Sequence, residues 1–564
     1  MNINNNIHPF TKNENGEDVK GYSELLTLVE KGVLPQEVLD KLSTLVKEKP
    51  GLSKKEQVNK IRDNKNKPLH RLKREIADYV IACMEEDGKF LCTANNELYW
   101  FDNSAHNAIR LHKDTEELTW LLDGEFGLNA QEPETKYTRE ALESHAARNG
   151  EKVTVHSQSF YDKDAQVLYI YAGAGMLYRL DGNEGYQQPK PNGTDGIFFI
   201  SKPGEEPITP DWDNPIDPAE ALFKDISYAD VSEGGWPPEL QQYFLYLYLR
   251  STFFRSRMPT RPMIGFLGPT NSGKSVAARR IMQLLEGSRG NVISADSKEK
   301  DTMAAVVSRD HIFLDNLDAP VSEWMANLLE MVSTGITFSV AVYYHTLKEC
   351  EYTPDCFVGF TAIDNPFSDR EAFLNRLYII RLKQRPDGEK KSDADIRDNV
   401  LCNRNKLWAG LLTQLNKDVK SLKENNSSTI SERIADFQAI AEPLAIGDNR
   451  FYDLKASFNS LNTMRENAVR FDSPVMEILR LWSPDLGKWY TTAELYKEWN
   501  DMTHGGDPQL SATGFNFKSA LSLGMHLTKI QPLLAKHFDV MTRHDSTRGW
   551  TYHFPYPAKG RKYF

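Results

Sequence analysis

The segment with the clearest chemical signature is residues 268–275, which read Gly-Pro-Thr-Asn-Ser-Gly-Lys-Ser. An apolar run at 262–267 precedes it, and 276–285 follows with helical periodicity. A glycine-rich loop between a strand and a helix can surround phosphate oxygens with backbone N–H groups. In this pattern the lysine reaches the β- and γ-phosphates, and the serine hydroxyl binds Mg²⁺. The residues predicted to bind nucleotide are Gly268, Pro269, Thr270, Asn271, Ser272, Gly273, Lys274, Ser275 and Val276.

A carboxylate that could hold the metal ion follows the next clear apolar strand, at 311–314. Asp315 ends this run, as expected of a Walker B strand. A second acidic residue normally follows and polarises the attacking water, but Asn316 occupies that position. Asp318 either replaces that acid or caps the next helix, and the sequence leaves both readings open. The sequence therefore predicts nucleotide binding directly, whereas hydrolysis depends on which group replaces the acid.

Further along the chain, two polar residues and two arginines complete a set of candidate catalytic groups. Thr361 lies in an apolar run that begins at Cys356, and it is the first candidate to contact the γ-phosphate or the lytic water. Asn365 is the alternative. Arg376, with Arg370 as second choice, lies just before a last apolar strand and could stabilise transition-state charge on a neighbouring subunit's γ-phosphate. A surface salt bridge is the other reading of either arginine.

The order of these motifs resembles that of the superfamily 3 helicases, the AAA+ branch found in DNA viruses, phages and mobile elements. More narrowly, it is similar to phage and plasmid primase-helicase ATPases related to the poxvirus primase-helicase. The matching segments are 268–275, 313–317, 333–335 and 369–376, within a similarity that covers about residues 260–385. The resemblance implies an α/β AAA+ P-loop core, ATP and Mg²⁺ at a site shared between subunits, and a homo-oligomer, most simply a hexamer.

The resemblance also implies two DNA-contacting parts. Helicases of this family carry a β-hairpin that projects into the ring channel, and the alternating segment 338–352 occupies its place. Tyr344, His345 and Lys348 would then lie near its tip and bind DNA, unless the hairpin is only structural. The C-terminal segment has a winged-helix pattern, which serves either DNA contact or protein interaction. No acidic primase motif is evident in residues 1–200, so we predict no primase activity.

Composition shifts divide the chain into six predicted parts around this core. They are a basic helical N-terminal region (1–75), an α+β domain (76–202), a Pro-rich acidic linker (203–235), the AAA+ ATPase domain (236–400), a helical connector (401–472) and the winged-helix domain (473–564). The length of 564 residues accommodates several such cores.

Charge and targeting signals narrow the class of protein. With 68 Lys+Arg and 79 Asp+Glu, the formal net charge of −11 excludes a generally basic nucleic-acid coat protein. Basic stretches at 54–74 and 529–564 nevertheless offer local contacts to DNA, although a solvated helix face also explains the first. Five scattered cysteines predict free thiols rather than disulfides or a zinc site, and no signal peptide or membrane span is evident, so we expect a cytoplasmic protein.

Two functions from different classes fit the sequence. The first is an ATP-dependent, ring-forming DNA helicase or replication ATPase of a phage, plasmid or other mobile element, with single-stranded or forked DNA as its partner. The second is a nucleotide-switched AAA+ assembly in antiviral defence or regulation, without helicase activity. Replication or defence proteins are possible further partners under these two readings.

Overall fold

A computed structural model of the chain describes most of its residues. They are 52–64, 67–112, 115–185, 188–202, 204–233, 235–318, 321–341, 349–367, 370–384, 399–425, 434–471, 475, 478–479, 482–504, 515, 517–545 and 549–555. The chain divides into two compact units, residues 1–155 and 156–564. The sequence instead predicts a domain boundary at residue 202.

The first unit packs helices on a small mixed sheet. Its elements are α1 (Lys54–Arg62), α2 (Leu69–Asp87), β1 (Gly88–Cys92), β2 (Leu98–Asp102), β3 (Asn107–Arg110), α3 (Glu116–Phe126), α4 (Pro133–Asn149) and β4 (Glu151–Lys152). The strand order is β3-β2-β1-β4, and β4 pairs parallel with β1. Residues such as Ile76, Val80 and Leu142 from α2 and α4 form its buried core.

Ion pairs occupy much of the basic stretch in this unit. Lys54 pairs with Asp87 at 2.5 Å and with Glu125 at 2.6 Å, and Arg62 pairs with Glu132 at 2.7 Å. Lys67 and Arg74 also pair with carboxylates. These pairs reduce the positive charge that this stretch offers to a polyanion, which favours the reading of a structural, solvated face.

The second unit begins with a four-stranded antiparallel sheet and a separate two-stranded sheet. Its strands are β5 (Val155–His156), β6 (Ser159–Asp162), β7 (Val167–Gly173), β8 (Met176–Leu180), β9 (Lys190–Pro191) and β10 (Phe198–Phe199), with a 3₁₀ turn at Thr194–Gly196. The four-stranded sheet has the order β6-β7-β8-β9, and β10 pairs with β5 in the two-stranded sheet. All seven residues of β7 are buried, because the strand packs on both faces.

The Pro-rich segment predicted as a linker is folded over part of its length. It contains α5 (Pro218–Phe223), which begins after the N-cap Asp217, and a 3₁₀ turn at Val231–Glu233. Leu222 and Phe223 are fully buried in the core of this unit. Pro218 is the buried first residue of α5, so this part of the segment is helical and packed instead of extended.

A five-stranded parallel sheet forms the centre of the second unit. The elements around it are α6 (Pro238–Ser251), β11 (Met263–Leu267), α7 (Lys274–Glu286), β12 (Ile293–Ser294), α8 (Glu299–Ser308), β13 (His311–Asp315), α9 (Glu323–Thr334), β14 (Phe338–Ala341), β15 (Glu349–Tyr352), β16 (Phe357–Ala362), α10 (Glu371–Leu374) and β17 (Leu377–Arg381), with 3₁₀ helices at Thr252–Arg257 and Gly287–Arg289. The order is β12-β13-β16-β11-β17 with parallel pairing throughout. Helices cover both faces, so the strands are almost continuously buried. This is the α/β P-loop core that the sequence predicts.

The remaining elements complete the second unit. They are α11 (Arg404–Glu424), α12 (Ala435–Gly447), α13 (Phe451–Phe471), β18 (Trp489–Thr491), α14 (Thr492–His504), α15 (Ala520–Phe538), β19 (Met541–Asp545) and β20 (Gly549–His553). The three C-terminal strands form an antiparallel sheet in the order β18-β20-β19, packed on a core that includes Trp482 and Trp499. Among the described residues, no helix combines the length and the apolar character needed to cross a bilayer.

Candidate active site

Three neighbouring strands bring the predicted catalytic residues together at one edge of the parallel sheet. β16 lies between β11 and β13, with Phe266 opposite Thr361 and Leu314 opposite Phe360. Since all three strands run parallel, their carboxyl ends meet at the same edge. The loop 268–273, Asp315 and Thr361 therefore converge there, as their places at the ends of apolar runs predict.

The backbone of the loop adopts conformations that restrict which residues fit. A Cβ on Gly268 would lie 2.1 Å from the carbonyl oxygen of Leu382, so only glycine allows this approach. Gly273, with φ of 88°, is the N-cap of α7, and Asn271 has φ of 64°. These left-handed residues curl the loop ahead of the helix N-terminus, an arrangement that suits anion binding.

The side chain of Lys274, the first residue of α7, packs against the loop. Its Nζ donates hydrogen bonds to the carbonyl oxygens of Gly268 at 2.6 Å and Pro269 at 2.9 Å. Burial lowers the pKa of Lys274, while the charges of Asp318 and Asp315 oppose this shift. A bound phosphate would replace the two carbonyl oxygens as the partner of the Lys274 ammonium group. Its negative charge would also offset the free-energy cost of burying that group.

Asp315 is the point at which three parts of the site meet. Its Oδ1 accepts hydrogen bonds from Ser275 Oγ and from Thr361 Oγ1, each at 2.6 Å. The hydroxyl of Thr361 in turn accepts from the backbone N–H of Asn316 at 3.0 Å, and Asn316 has φ of 58°. Thr361 thus fixes both the carboxylate and the turn that follows β13.

The oxygen atoms of Ser275 and Asp315 form a donor set suited to Mg²⁺. In the described part of the chain, no group of three or more His, Cys, Asp or Glu side chains is arranged to hold a metal ion. Mg²⁺ prefers oxygen ligands and is typically bound by one or two protein groups, with water and phosphate oxygens filling the other positions. The two residues therefore fit a magnesium ion that arrives with a nucleotide.

Asp318 bonds to the loop after β16. Its Oδ1 accepts a hydrogen bond from the backbone N–H of Ile363 at 2.8 Å, and its side chain is exposed. The next helix, α9, has Ser322 as its N-cap, four residues after Asp318. Asp318 is therefore not the cap of this helix, and its charge acts on the nearby Lys274.

Asn365 is buried close to the P-loop with half of its amide unused. Its Oδ1 accepts from the backbone N–H of Phe367 at 3.1 Å, whereas the buried Nδ2 has no hydrogen-bond partner among the described residues. The adjoining segment contacts the P-loop directly, because Gly268 N–H donates to the carbonyl oxygens of Ala362 and Ile363 at 3.2 Å. The buried hydroxyl of Ser272 also has no partner.

Arg376, the first of the two candidate arginines, lies away from this edge. The carbonyl oxygen of Arg376 accepts from Met263 N–H, which places Arg376 at the amino end of β11 and β17. The five-residue β11 separates it from the P-loop by roughly 17 Å at the usual rise per residue. Arg376 Nη1 lies 3.4 Å from Glu330 Oε1 on α9, and Arg370 N–H bonds to Phe367 carbonyl oxygen. Arg376 therefore does not complete the site of its own subunit.

Sequence reasoning missed Glu330, the acidic partner of Arg376. The two residues are 46 positions apart, and only the packing of α9 near the start of β17 brings them together. The predicted DNA contacts Tyr344, His345 and Lys348 lie outside the described residues. The strands on either side of them, β14 and β15, pair antiparallel as the alternating pattern predicts.

Comparisons with known proteins give a coarse result. No protein-family model and no curated protein sequence matches the chain. The A-form apo structure of the NrS-1 C-terminal region is similar over 84% of this chain and 97% of its own, with 10% identity and a TM-score of 0.35. A structure of JCV helicase with a bound acetamide compound is similar over 40% of this chain and 60% of its own, with 16% identity and a TM-score of 0.22. At these TM-scores the likeness does not extend to function, which is inferred from the site alone.

Proposed function

We propose that this protein is an ATP-dependent, ring-forming DNA helicase or replication ATPase of a phage, plasmid or other mobile element. The observation that carries the proposal is the convergence of Ser275 and Thr361 on Asp315, beside the phosphate-binding Lys274. In the proposed site, the loop 268–276 binds ATP, and Ser275 and Asp315 hold Mg²⁺. The metal supplies charge neutralisation for the phosphates.

Water activation in this proposal involves residues of two loops. Asp318 is the proposed base, because its carboxylate is exposed and lies near Lys274. Asn316, at the usual position of the acid, has no carboxylate. Asn365 is the preferred residue for contacting the γ-phosphate or the water, because its Nδ2 has no other partner. Thr361 then acts as a positioning residue, because its hydroxyl already holds Asp315. This choice reverses the preference that the sequence alone suggests.

A ring follows from the arginines in this proposal. Arg376, with Arg370 as the alternative, would reach the nucleotide of the neighbouring subunit, because Arg376 lies at the opposite end of the strands from the nucleotide edge of its own subunit. Such a site is complete only in an oligomer, and a hexamer is the simplest closed form. The strand order and the P-loop support assignment of the core to the AAA+ class.

DNA contact is assigned in this proposal to the hairpin and the C-terminal domain. The pairing of β14 with β15 supports a projecting hairpin whose tip carries Tyr344, His345 and Lys348. The element order β18, α14, α15, β19, β20 and the three-stranded sheet support a winged-helix domain. ATP hydrolysis would move the hairpin and translocate the chain on single-stranded or forked DNA.

The experiment that tests the function measures ATP hydrolysis and strand displacement on a forked DNA. We expect hydrolysis that DNA stimulates, together with displacement, and loss of both in Lys274→Ala. Lys383→Ala is the matched control, because Lys383 is an exposed lysine that pairs with Glu233 at 3.1 Å. A protein that hydrolyses no ATP in the presence of Mg²⁺ and DNA contradicts the proposal.

A nucleotide-switched assembly in defence or regulation is the second candidate. It is favoured by Asn316 in place of an acid and by the hydrogen bond that holds Asp318 to Ile363 N–H. ATP binding would then drive assembly with slow or absent turnover. ATP-dependent oligomerisation that is indifferent to DNA would support this candidate over the helicase.

A further inference from the structure

The outward face of the C-terminal sheet carries aromatic and basic side chains. Met541, His553 and Trp489 are register partners across β19, β20 and β18. Arg543 stands two residues along β19 from Met541 and therefore shares this face. Tyr490 and Tyr552, on the other face, are buried in the helical core. We refer to Trp489, Met541, Arg543 and His553 as the sheet platform.

Arg543 is a solvent-exposed member of the sheet platform. Its side chain is exposed, and its guanidinium carbon lies 4.3 Å from the centre of the Trp489 ring. Within the residues that the structure describes, no carboxylate pairs with it. A guanidinium over an aromatic ring keeps its N–H donors available at its edge and can stack a further planar group.

The neighbouring side chains hold Trp489 in place. Its ring centre lies 5.3 Å from that of His553, and the two planes are inclined by 36°. His553 Nε2 is fixed at 2.9 Å from the carbonyl oxygen of Leu486. Met541 is 51% exposed on the same face. The face thus combines pre-positioned rings with an apolar side chain that remains open to solvent.

The charge of this part of the chain indicates a polyanionic occupant. Residues 529–564 contain seven Lys/Arg and two Asp/Glu, a balance of +5 in a chain of net charge −11. Aromatic rings and arginine planes bind the faces of unpaired bases, which a duplex keeps inside its stack. The combination therefore favours a single strand over a duplex.

We propose that the sheet platform binds single-stranded DNA, with a base stacked on the Arg543–Trp489 pair and a backbone phosphate bound by the guanidinium. The inference rests on the proposed function, from which DNA is taken as the partner. It assigns the contact to the open sheet face. The first two turns of α15 expose apolar side chains instead, since Leu521 and Met525 are 75% and 64% exposed.

The test measures binding of the full chain to a dye-labelled oligothymidine strand by fluorescence anisotropy, without nucleotide and at several salt concentrations. Arg543→Ala is expected to weaken affinity about tenfold and to lower the salt slope by about one. Arg543→Lys keeps the charge but loses the planar stack, so we expect it to preserve the slope and still lose affinity. Trp120→Ala, at a 64% exposed tryptophan of the first unit, is the matched control and should bind like the wild type.

Two results would overturn the inference. One is unchanged oligothymidine affinity in Arg543→Ala, and the other is an equal loss on the matched duplex. Because the assay contains no nucleotide, a chain that binds the strand through Arg543 but hydrolyses no ATP would contradict the proposed function alone. Conversely, an active ATPase whose strand binding ignores Arg543 would contradict this inference alone.

Discussion

The hydroxyl of Thr361 and the hydroxyl of Ser275 donate to the same oxygen of Asp315, each over 2.6 Å. Thr361 lies on β16, between β13, which ends at Asp315, and β11, which leads into the loop ahead of Ser275 on α7. One carboxylate oxygen is therefore fixed from both sides, and no side chain in the described part of the chain donates to the second. The orientation of the proposed metal ligand therefore depends on Thr361 as well as on Ser275.

Replacing Thr361 tests this dependence. Thr361→Val keeps the shape but removes both the donor to Asp315 and the acceptor for Asn316 N–H. We expect ATP turnover to fall about tenfold, which corresponds to roughly 1.4 kcal/mol, and the Mg²⁺ concentration for half-maximal activity to rise. Thr361→Ser retains the hydroxyl and should preserve both quantities. Equal activity of the Val and Ser variants across a magnesium titration would refute the positioning role.

Asn365 offers a second test, because its unused amide is proposed to meet the reacting groups. In Asn365→Ala, we expect turnover to fall about 10²-fold while ATP affinity stays close to that of the wild type, since the lost donor acts on developing charge. Calorimetric ATP binding and steady-state hydrolysis separate the two quantities. A variant that loses affinity and turnover together would show that Asn365 supports the P-loop structurally instead.

Asn316 and Asp318 are the two candidates to replace the acid that normally polarises the attacking water. Asp318→Asn removes the charge but can still accept from Ile363 N–H, so we expect turnover to drop by about 10²-fold or more with the loop retained. Asn316→Ala should change turnover little. Its left-handed φ makes Asn316→Gly the better control for backbone strain. The opposite ranking of the two positions in single-turnover hydrolysis would assign the water to Asn316.

The sequence was sufficient to predict the parts of the site that consist of residues close together in the chain. A strand, a glycine loop and a helix are adjacent in the chain, so residues 268–276 could be recognised without knowledge of the fold. The same holds for Asp315 at the end of β13 and for the alternation that predicts β14 and β15. Each of these depends on contacts over a few residues.

Roles that depend on distant partners could not be read from the sequence. Thr361 bonds to Asp315 across 46 positions, and this contact exists only because β16 is inserted between β11 and β13. Similarly, the basic run that includes Lys54 suggests nucleic-acid contact until Glu125, 71 residues away, is seen to pair with it. Long-range pairing decides whether a charge or a hydroxyl is free for function.

His156 provides a prediction about stability and pH. Burial lowers its pKa to about 4 from the ordinary 6.5, and the nearby charges of Asp355 and Arg255 have opposing, smaller effects. In the unfolded chain this histidine is protonated below about pH 6.5, whereas in the folded chain it stays neutral down to about pH 4. The folded state is therefore fully stable above pH 6.5 and loses stability as the pH falls from 6.5 to 4. His156→Phe preserves the ring stacking on Phe160, whose centre lies 4.0 Å away. It should remove a pH-dependent decrease in the free energy of unfolding on the order of 3 kcal/mol. Urea unfolding of both proteins across this window measures it, and parallel pH profiles would contradict the assignment.

Arg376 is predicted to act in trans. Arg376→Ala should reduce turnover by about 10³-fold or more while ATP binding remains, because the proposed role is confined to the transition state. Glu330→Gln removes only the ion pair with Arg376, which spans 3.4 Å. Arg370→Ala tests whether Arg370 takes this role instead. The sharpest measurement mixes two inactive variants, Arg376→Ala and Lys274→Ala. In a shared site, an interface between them combines the intact Lys274 of one subunit with the intact Arg376 of the other, so part of the activity returns. A mixture that stays inactive although both variants assemble would place the two residues in one subunit's site or remove Arg376 from catalysis.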